Sequence, residues 1–361
     1  MDLVIAKNAV PKIEGDLVKS VETIRAVDKI LKLNHQGNPV TSLGLTVKTG
    51  LEHVLFYSHV SNLSKLASNI KKNVPKTVPQ SVHSPYNFEN PNLAEISSDE
   101  GKAMIKEVID FTAEIEGKVV VAHPNQVCNN QYELKNYPHE EKFLQLITNA
   151  KELTEYARIK GILFTVKNMP FPSTNQDLTD LNFNLGYITQ QDGQKLGEEG
   201  LYLTEDNCHR AISSETINEV ITRKHKKFEE ITKELGIQGL PEEKYVSQPP
   251  LKDIVRQLKK SIVHLHCNDG KLIDTRRKNW KGPKNVKVFD EAMIIGVGTL
   301  CDYSDFFPVI EHHAKEEDLE RMFIVLEVYE TFSPNKNNPY DTPLNYSVDA
   351  IKLYHTLVSE F

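Results

Sequence analysis

Six short runs along the chain are almost continuously apolar and rich in β-branched residues. They are VPQSVHSPY (78–86), KVVVAHP (118–124), GILFTVKNM (161–169), GLYLTEDNCH (200–209), KSIVHLHCND (260–269) and MFIVLEVYE (322–330). A strand with one face in water alternates apolar and polar positions. A strand buried on both faces does not, so these runs predict parallel strands inside an α/β fold. Between them the apolar positions take a helical period. In 98–116, Ile105, Val108, Ile109 and Ala113 share a face, and Ser98 or Asp99 can cap the helix. Residues 143–160, 216–235 and 347–360 also read as helices. Alternating strands and helices predict βαβ units.

The expected fold is therefore α/β: a (β/α)8 TIM barrel of parallel strands in one domain, 1–361. An eight-stranded barrel needs two more strands from the first third of the chain. The candidates are 3–6, 42–47 and 53–58, with a helix over 16–33. If 42–47 is the first strand, residues 1–38 become an N-terminal appendage. Two connections are long: 236–257, with Pro241, Pro249 and Pro250, and the basic stretch 270–300. Long loops in compact domains usually carry function.

Composition narrows the picture only a little. The net charge of -7 gives no global basic field for nucleic acid. Cys128, Cys208, Cys267 and Cys301 form no CxxC pair, which argues against a disulfide framework and for a reducing compartment. No stretch approaches the roughly 18 apolar residues of a membrane span. A soluble, cytoplasmic protein is expected.

The candidate chemistry lies where the runs end. His83, His123, Lys167, Asp206, His266 and Glu327 each close an apolar run, about one βα unit apart. In a parallel barrel the C-terminal strand ends form the active site, so these residues would converge. A single strand-end histidine is most often structural. Six ionisable ends in register are costly to bury unless they are paired or metal-bound.

The motifs VHSPY (82–86), AHPN (122–125), VKNMP (166–170), EDNCH (205–209), HLHCNDGK (264–271) and VLEVYE (325–330) resemble, in order, the third to eighth strands of the xylose-isomerase-like barrels. That superfamily includes endonuclease IV, xylose isomerase and many sugar-phosphate isomerases and epimerases. The resemblance implies that Asp206, His266 and Glu327 bind a divalent metal, Zn or Mn. It implies His83 and His123 as ligands of a second metal, and His209 and Asp290 as further ligands of the endonuclease branch. Glu327, Lys167 and His209 are then the catalytic candidates, with Asn168 among the substrate-binding ones. His264 shares the parity of His266 and would lie deeper in the barrel.

Two departures stand out. Lys167 occupies the place of the superfamily's metal-binding glutamate, and an ammonium has no lone pair for a metal. It either replaces the metal's charge between Asp206 and Glu327 or turns to solvent. Ala292 stands where the endonuclease pattern has a histidine. In the loop after the seventh run, Arg276, Arg277, Lys278 and Trp280 are candidates for phosphate or substrate binding, or else a solvated basic loop. No Walker A, GxGxxG or GxSxG motif is present.

Three functions follow. The first is a metal-dependent isomerase or epimerase of a small sugar or sugar phosphate, the superfamily's broad default. The second is an endonuclease IV-like AP endonuclease, a zinc phosphodiesterase on damaged, abasic DNA. The third is a divergent barrel that uses no metal because of Lys167, as a binding protein or a metal-independent enzyme. None of them involves a membrane.

Overall fold

Eight parallel strands close into a barrel, each hydrogen-bonded to the strands before and after it in sequence. The structure is a computed structural model that describes residues 2–10, 14–35, 40–41, 43–86, 96–124, 127–128, 138–174, 181–184, 186–222, 230, 232–233, 247–258, 261–272, 275–276, 278–279, 281, 289–293, 301, 309–310, 312–313, 321–327, 347 and 349–351. The barrel strands are β1 (Asp2–Ala9), β2 (Thr46–Phe56), β3 (Gln80–Tyr86), β4 (Val119–Ala122), β5 (Leu163–Lys167), β6 (Tyr202–Asp206), β7 (Ile262–Cys267) and β8 (Arg321–Leu326). β1 pairs with both β2 and β8, which closes the ring.

Helices cover the outside: α1 (Glu14–His35), α2 (Leu63–Asn73), α3 (Asp99–Glu114), α4 (His139–Ile159), α5 (Gln190–Glu198), α6 (Asn207–Thr222) and α7 (Leu251–Leu258). In α3 the apolar period faces the sheet, burying Ile105, Val108 and Ile109. Each such side chain contributes roughly 1.5–3 kcal/mol of transfer free energy. Ser98 starts the helix by accepting a hydrogen bond from the Gly101 amide. Among the described residues no helix is long and apolar enough to cross a membrane.

The first third settles in a way the hydrophobic pattern did not show. Residues 2–9 are a barrel strand, so 1–38 is not an appendage. The candidates 42–47 and 53–58 overlap the two ends of the single strand β2, at 46–47 and 53–56, and read as two because Lys48, Thr49 and Gly50 interrupt the apolar run. The connection 236–257 ends in α7, whose first turn uses the Pro250 carbonyl as acceptor for Asp253 and Ile254. The stretch 270–300 holds most of an antiparallel pair, Asp269–Leu272 with Phe289–Met293. The helix expected over 216–235 begins at Asn207. Of the helix expected over 347–360, residues 347 and 349–351 are described, and they are helical.

Strand parity places the site. Val4 and Ala6 of β1, Val119 and Val121 of β4, and Phe323 and Val325 of β8 pack together inside the barrel. One inward position further along, these strands present Asn8, His123 and Glu327. On β2, Gly50 is packed so closely that a Cβ there would lie 2.4 Å from Val4 Cγ1 and 2.9 Å from the Pro79 carbonyl. The next inward residue on that strand is Glu52. The barrel is thus plugged by apolar side chains and polar above them.

Candidate active site

Lys167 ends β5 and points inward, 2% exposed. Its ammonium lies 2.9 Å from Glu327 Oε2 and 3.1 Å from Asp206 Oδ2. The alternative in which Lys167 turns to solvent is not what forms. Two carboxylates hold the charged lysine inside the mouth of the barrel. Burial pushes the Glu327 carboxyl up, but the Lys167 and His266 charges outweigh it and hold Glu327 well below the usual range.

Asp206 is positioned from several sides. Its Oδ1 accepts the backbone N–H of His209 at 3.1 Å, so it caps α6, where a carboxylate is favoured. Its backbone exchanges hydrogen bonds with the Asn168 side chain, 2.5 Å to Oδ1 and 3.0 Å from Nδ2. Asn168, a substrate-binding candidate from the sequence, here clamps the backbone of Asp206. His209 turns its Nδ1 to the Asn168 carbonyl at 2.8 Å and leaves Nε2 3.5 Å from Asp206 Oδ2.

His266 sits between two carboxylates. Its Nδ1 is 2.6 Å from Glu327 Oε2 and its Nε2 3.2 Å from Glu52 Oε1. Burial lowers its pKa, but Glu52 and Glu327 outweigh burial and Lys167, and raise it to about 9. The other histidines behave oppositely. Burial, helped by the Lys167 charge, lowers His83 to about 4. Burial and the neighbouring His83 keep His123 well below its ordinary value. The His83 and His123 rings meet edge to face, with centroids 4.7 Å apart. His83 Nδ1 faces the Ser84 carbonyl at 3.0 Å, so the proton is on Nδ1. Its buried Nε2 has no hydrogen-bond partner among the described residues.

Three residues of this centre were not legible as candidates. Glu52 is fully buried on β2, 3.3 Å from His264 Nε2. Burial raises the Glu52 carboxyl, but His266 and His264 outweigh it, and the group stays far below the usual carboxylate range. His264 was placed deeper in the barrel but given no role; burial lowers its pKa. Asn8, next to last in β1, pairs with Glu52 across the ladder, and both atoms of its buried amide lack a partner among the described residues.

The remaining candidates belong to the segment 270–300. Asp290 is in the hairpin strand, in register with Lys271. Arg276 and Lys278 are exposed. Arg277 and Trp280 lie outside the described residues.

The metal implied by the superfamily resemblance meets the Lys167 ammonium in this geometry. An ion on Asp206, His266 and Glu327 would share their oxygens with the Lys167 ammonium. At about 4 Å and an effective dielectric near 20, a divalent ion and an ammonium repel by on the order of 8 kcal/mol. The residues do not fit a divalent ion there while Lys167 is in place. The described residues do contain two trios able to hold a metal, their donor atoms within 4.8 Å of one another. These are Glu52, His264 and His266, and His83, His266 and Glu327. The second includes the carboxylate that Lys167 already holds.

The closed parallel barrel with ionisable strand ends has the xylose-isomerase-like TIM-barrel fold. The chain is similar in structure to a D-tagatose 3-epimerase-like protein, with 16% identity, TM-score 0.51, and coverage of 100% of this chain and 99% of the other. It is similar to D-allulose 3-epimerase from Methylomonas sp. in complex with D-allulose, with 10% identity, TM-score 0.55, and coverage of 98% and 97%. A Thermus thermophilus protein soaked with ZnCl2 matches with 16% identity, TM-score 0.52, and coverage of 100% and 99%. No protein-family model matches the chain, and no curated protein matches it in sequence. At these identities the similarity establishes the fold.

Proposed function

We propose that the chain is an isomerase or epimerase of a small sugar or sugar phosphate, working as one barrel domain, 1–361, in the cytoplasm. In this reading the Lys167 ammonium supplies the positive charge that the superfamily draws from a divalent ion at the mouth. Moving a proton on the carbon next to a carbonyl needs a cation at the carbonyl oxygen and a base at the C–H. Lys167 is the cation, held by Asp206 and Glu327. His83 is the base. The observation that carries the reading is its unpartnered Nε2, on a neutral imidazole that feels the Lys167 charge. A neutral histidine at the reacting carbon can take a proton and return it. Asn8 offers a donor and an acceptor to sugar hydroxyls. Several barrels of the same fold are named as sugar epimerases, among them D-allulose 3-epimerase and the 3-keto-D-glucoside 4-epimerase of E. coli.

The AP-endonuclease reading draws on the grouping of His83, His123 and His209. It has less support, because clustered zinc ions would have to sit against Lys167. The test is solvent-deuterium incorporation into D-allulose, D-tagatose, D-fructose and their phosphates, followed by NMR. Exchange at the carbon next to the carbonyl is expected for at least one of them, and at least 100-fold slower exchange in Lys167→Gln and in His83→Gln. No exchange in any of these sugars, or unchanged exchange in both variants, would reject the assignment.

A further inference from the structure

We propose that this chain holds a zinc ion inside the barrel, one layer below the mouth, on Glu52, His264 and His266. This site is distinct from the Asp206–His266–Glu327 set implied by the superfamily resemblance, and it does not depend on the proposed reaction. Two donors bound tetrahedrally to one zinc at 2.0–2.2 Å stand about 3.4 Å apart. Here His264 Nε2 lies 3.3 Å from Glu52 Oε1. His266 Nε2 lies 3.2 Å from Glu52 Oε1 and 3.0 Å from Oε2. Both imidazole–carboxylate spacings are therefore already close to those of a zinc ligand set made of two imidazoles and a carboxylate, and all three donor atoms lie within 4.8 Å of one another.

A second observation points to a ligand. Glu52, His264 and His266 are fully buried. Glu52 Oε2 and both ring nitrogens of His264 make no aligned hydrogen bond among the described residues, although Oε2 lies 3.0 Å from His266 Nε2 and His264 Nε2 lies 3.3 Å from Glu52 Oε1. A buried polar atom without an aligned hydrogen bond costs up to about 1–3 kcal/mol. A cation between them satisfies Oε2 and Nε2 together. His266 is held for the same task from its other side. Its Nδ1 is 2.6 Å from Glu327, the carboxylate–histidine arrangement that directs the second nitrogen to a metal. His264 is fixed by stacking on Phe323, with ring centroids 5.8 Å apart and planes 24° apart. Zinc takes the place of the proton that His266 Nε2 shares with Glu52, so binding releases one proton.

An ion this deep enters as the chain folds. The experiment unfolds the whole protein, refolds it with ZnCl2, desalts it and counts zinc per chain by elemental mass spectrometry. One zinc per chain is expected, with four-coordinate visible absorption when Co²⁺ replaces ZnCl2. His264→Gln and Glu52→Gln should fall below 0.2 zinc per chain, while His83→Gln and Asp206→Asn keep one. Refolded wild-type protein without zinc overturns the proposal and leaves an imidazolium–carboxylate cluster. So does zinc lost from His83→Gln but kept by His264→Gln, which would put the ion at the mouth. If His264→Gln does not refold, His83→Gln decides: zinc retained supports the deep site, and zinc lost overturns it.

Discussion

The Lys167 ammonium lies 2.9 Å from Glu327 Oε2, joining two strands 160 residues apart in the chain. Asp206 completes the bridge at 3.1 Å. Removing one partner of a buried ion pair leaves an uncompensated charge, at a typical loss of about 3–5 kcal/mol. Lys167→Met is expected to lose about that much in urea unfolding at pH 7. A loss below about 1 kcal/mol would mean that water reaches Asp206 and Glu327 and screens them without the lysine.

Lys167→Glu asks a different question of the same position. It removes the ammonium and restores the carboxylate found in the superfamily. Mn²⁺ titrated into the folded variant should bind at the mouth with at least tenfold higher affinity than in the unmodified protein, measured by calorimetry. Equal affinities would show that Lys167 does not occupy the metal's place.

The strand ends were legible because each almost continuously apolar run closes on an ionisable residue, as in VVVAH at His123 and LFTVK at Lys167. Glu52 was hidden for the opposite reason. It sits in the middle of β2, near Lys48 and Gly50, so the stretch looked like a break between two short strands. Gly50 held the missing signal: a small residue one inward step below a carboxylate marks a crowded barrel interior. Asn8 was missed because nothing in the pattern selected 3–6 as a barrel strand. The start of α7 was obscured by Pro249 and Pro250, although proline is favoured where helices begin. The pairing of Lys167 with both carboxylates was readable, since parity and the order of strands in a barrel set it.

Outside the barrel lumen a second buried pair sets stability. Arg210 clasps Glu205 with two hydrogen bonds, Nε to Oε1 at 2.6 Å and Nη2 to Oε2 at 3.1 Å, and both side chains are buried. A third bond runs from Nη1 to the Ile188 carbonyl. Arg210→Met should destabilise by about 3–5 kcal/mol by stranding the Glu205 charge. Adding Glu205→Gln should recover at least half of that loss. Additive losses in the double variant would show that the two side chains are not coupled.

Tyr187 donates to Glu205 Oε2 at 2.8 Å within this cluster. Burial raises its phenol well above the ordinary value of 10, Glu205 raises it further, and Arg210 opposes. The folded protein therefore keeps a proton that the unfolded chain releases. The contribution is fully present below about pH 10 and is lost as pH rises beyond it, at up to about 1.4 kcal/mol per unit. Unfolding measured from pH 8 to 11 should show a steeper alkaline decline for the unmodified protein than for Tyr187→Phe. Parallel curves would mean that the hydroxyl is not buried against Glu205.

Asn8 gives the most direct view of whether the mouth is built for a polyhydroxylated ligand. Its amide is 2% exposed, adjoins Glu52 across the β1–β2 ladder, and has neither its donor nor its acceptor satisfied among the described residues. A purely structural amide would be bonded, because each bare buried group costs about 1–3 kcal/mol. Replacing it with the similarly sized Leu removes both bare groups. Asn8→Leu is therefore expected to leave stability unchanged or raise it by up to about 1 kcal/mol. The same change deletes a donor and an acceptor for sugar hydroxyls. Two neutral hydrogen bonds at about 0.5–1.5 kcal/mol each correspond to roughly a 5- to 150-fold weaker KM. Melting temperature and KM for whichever sugar exchanges deuterium, measured on the same preparation, separate the two roles. A destabilised variant with unchanged KM would make Asn8 a structural residue with no contact to substrate.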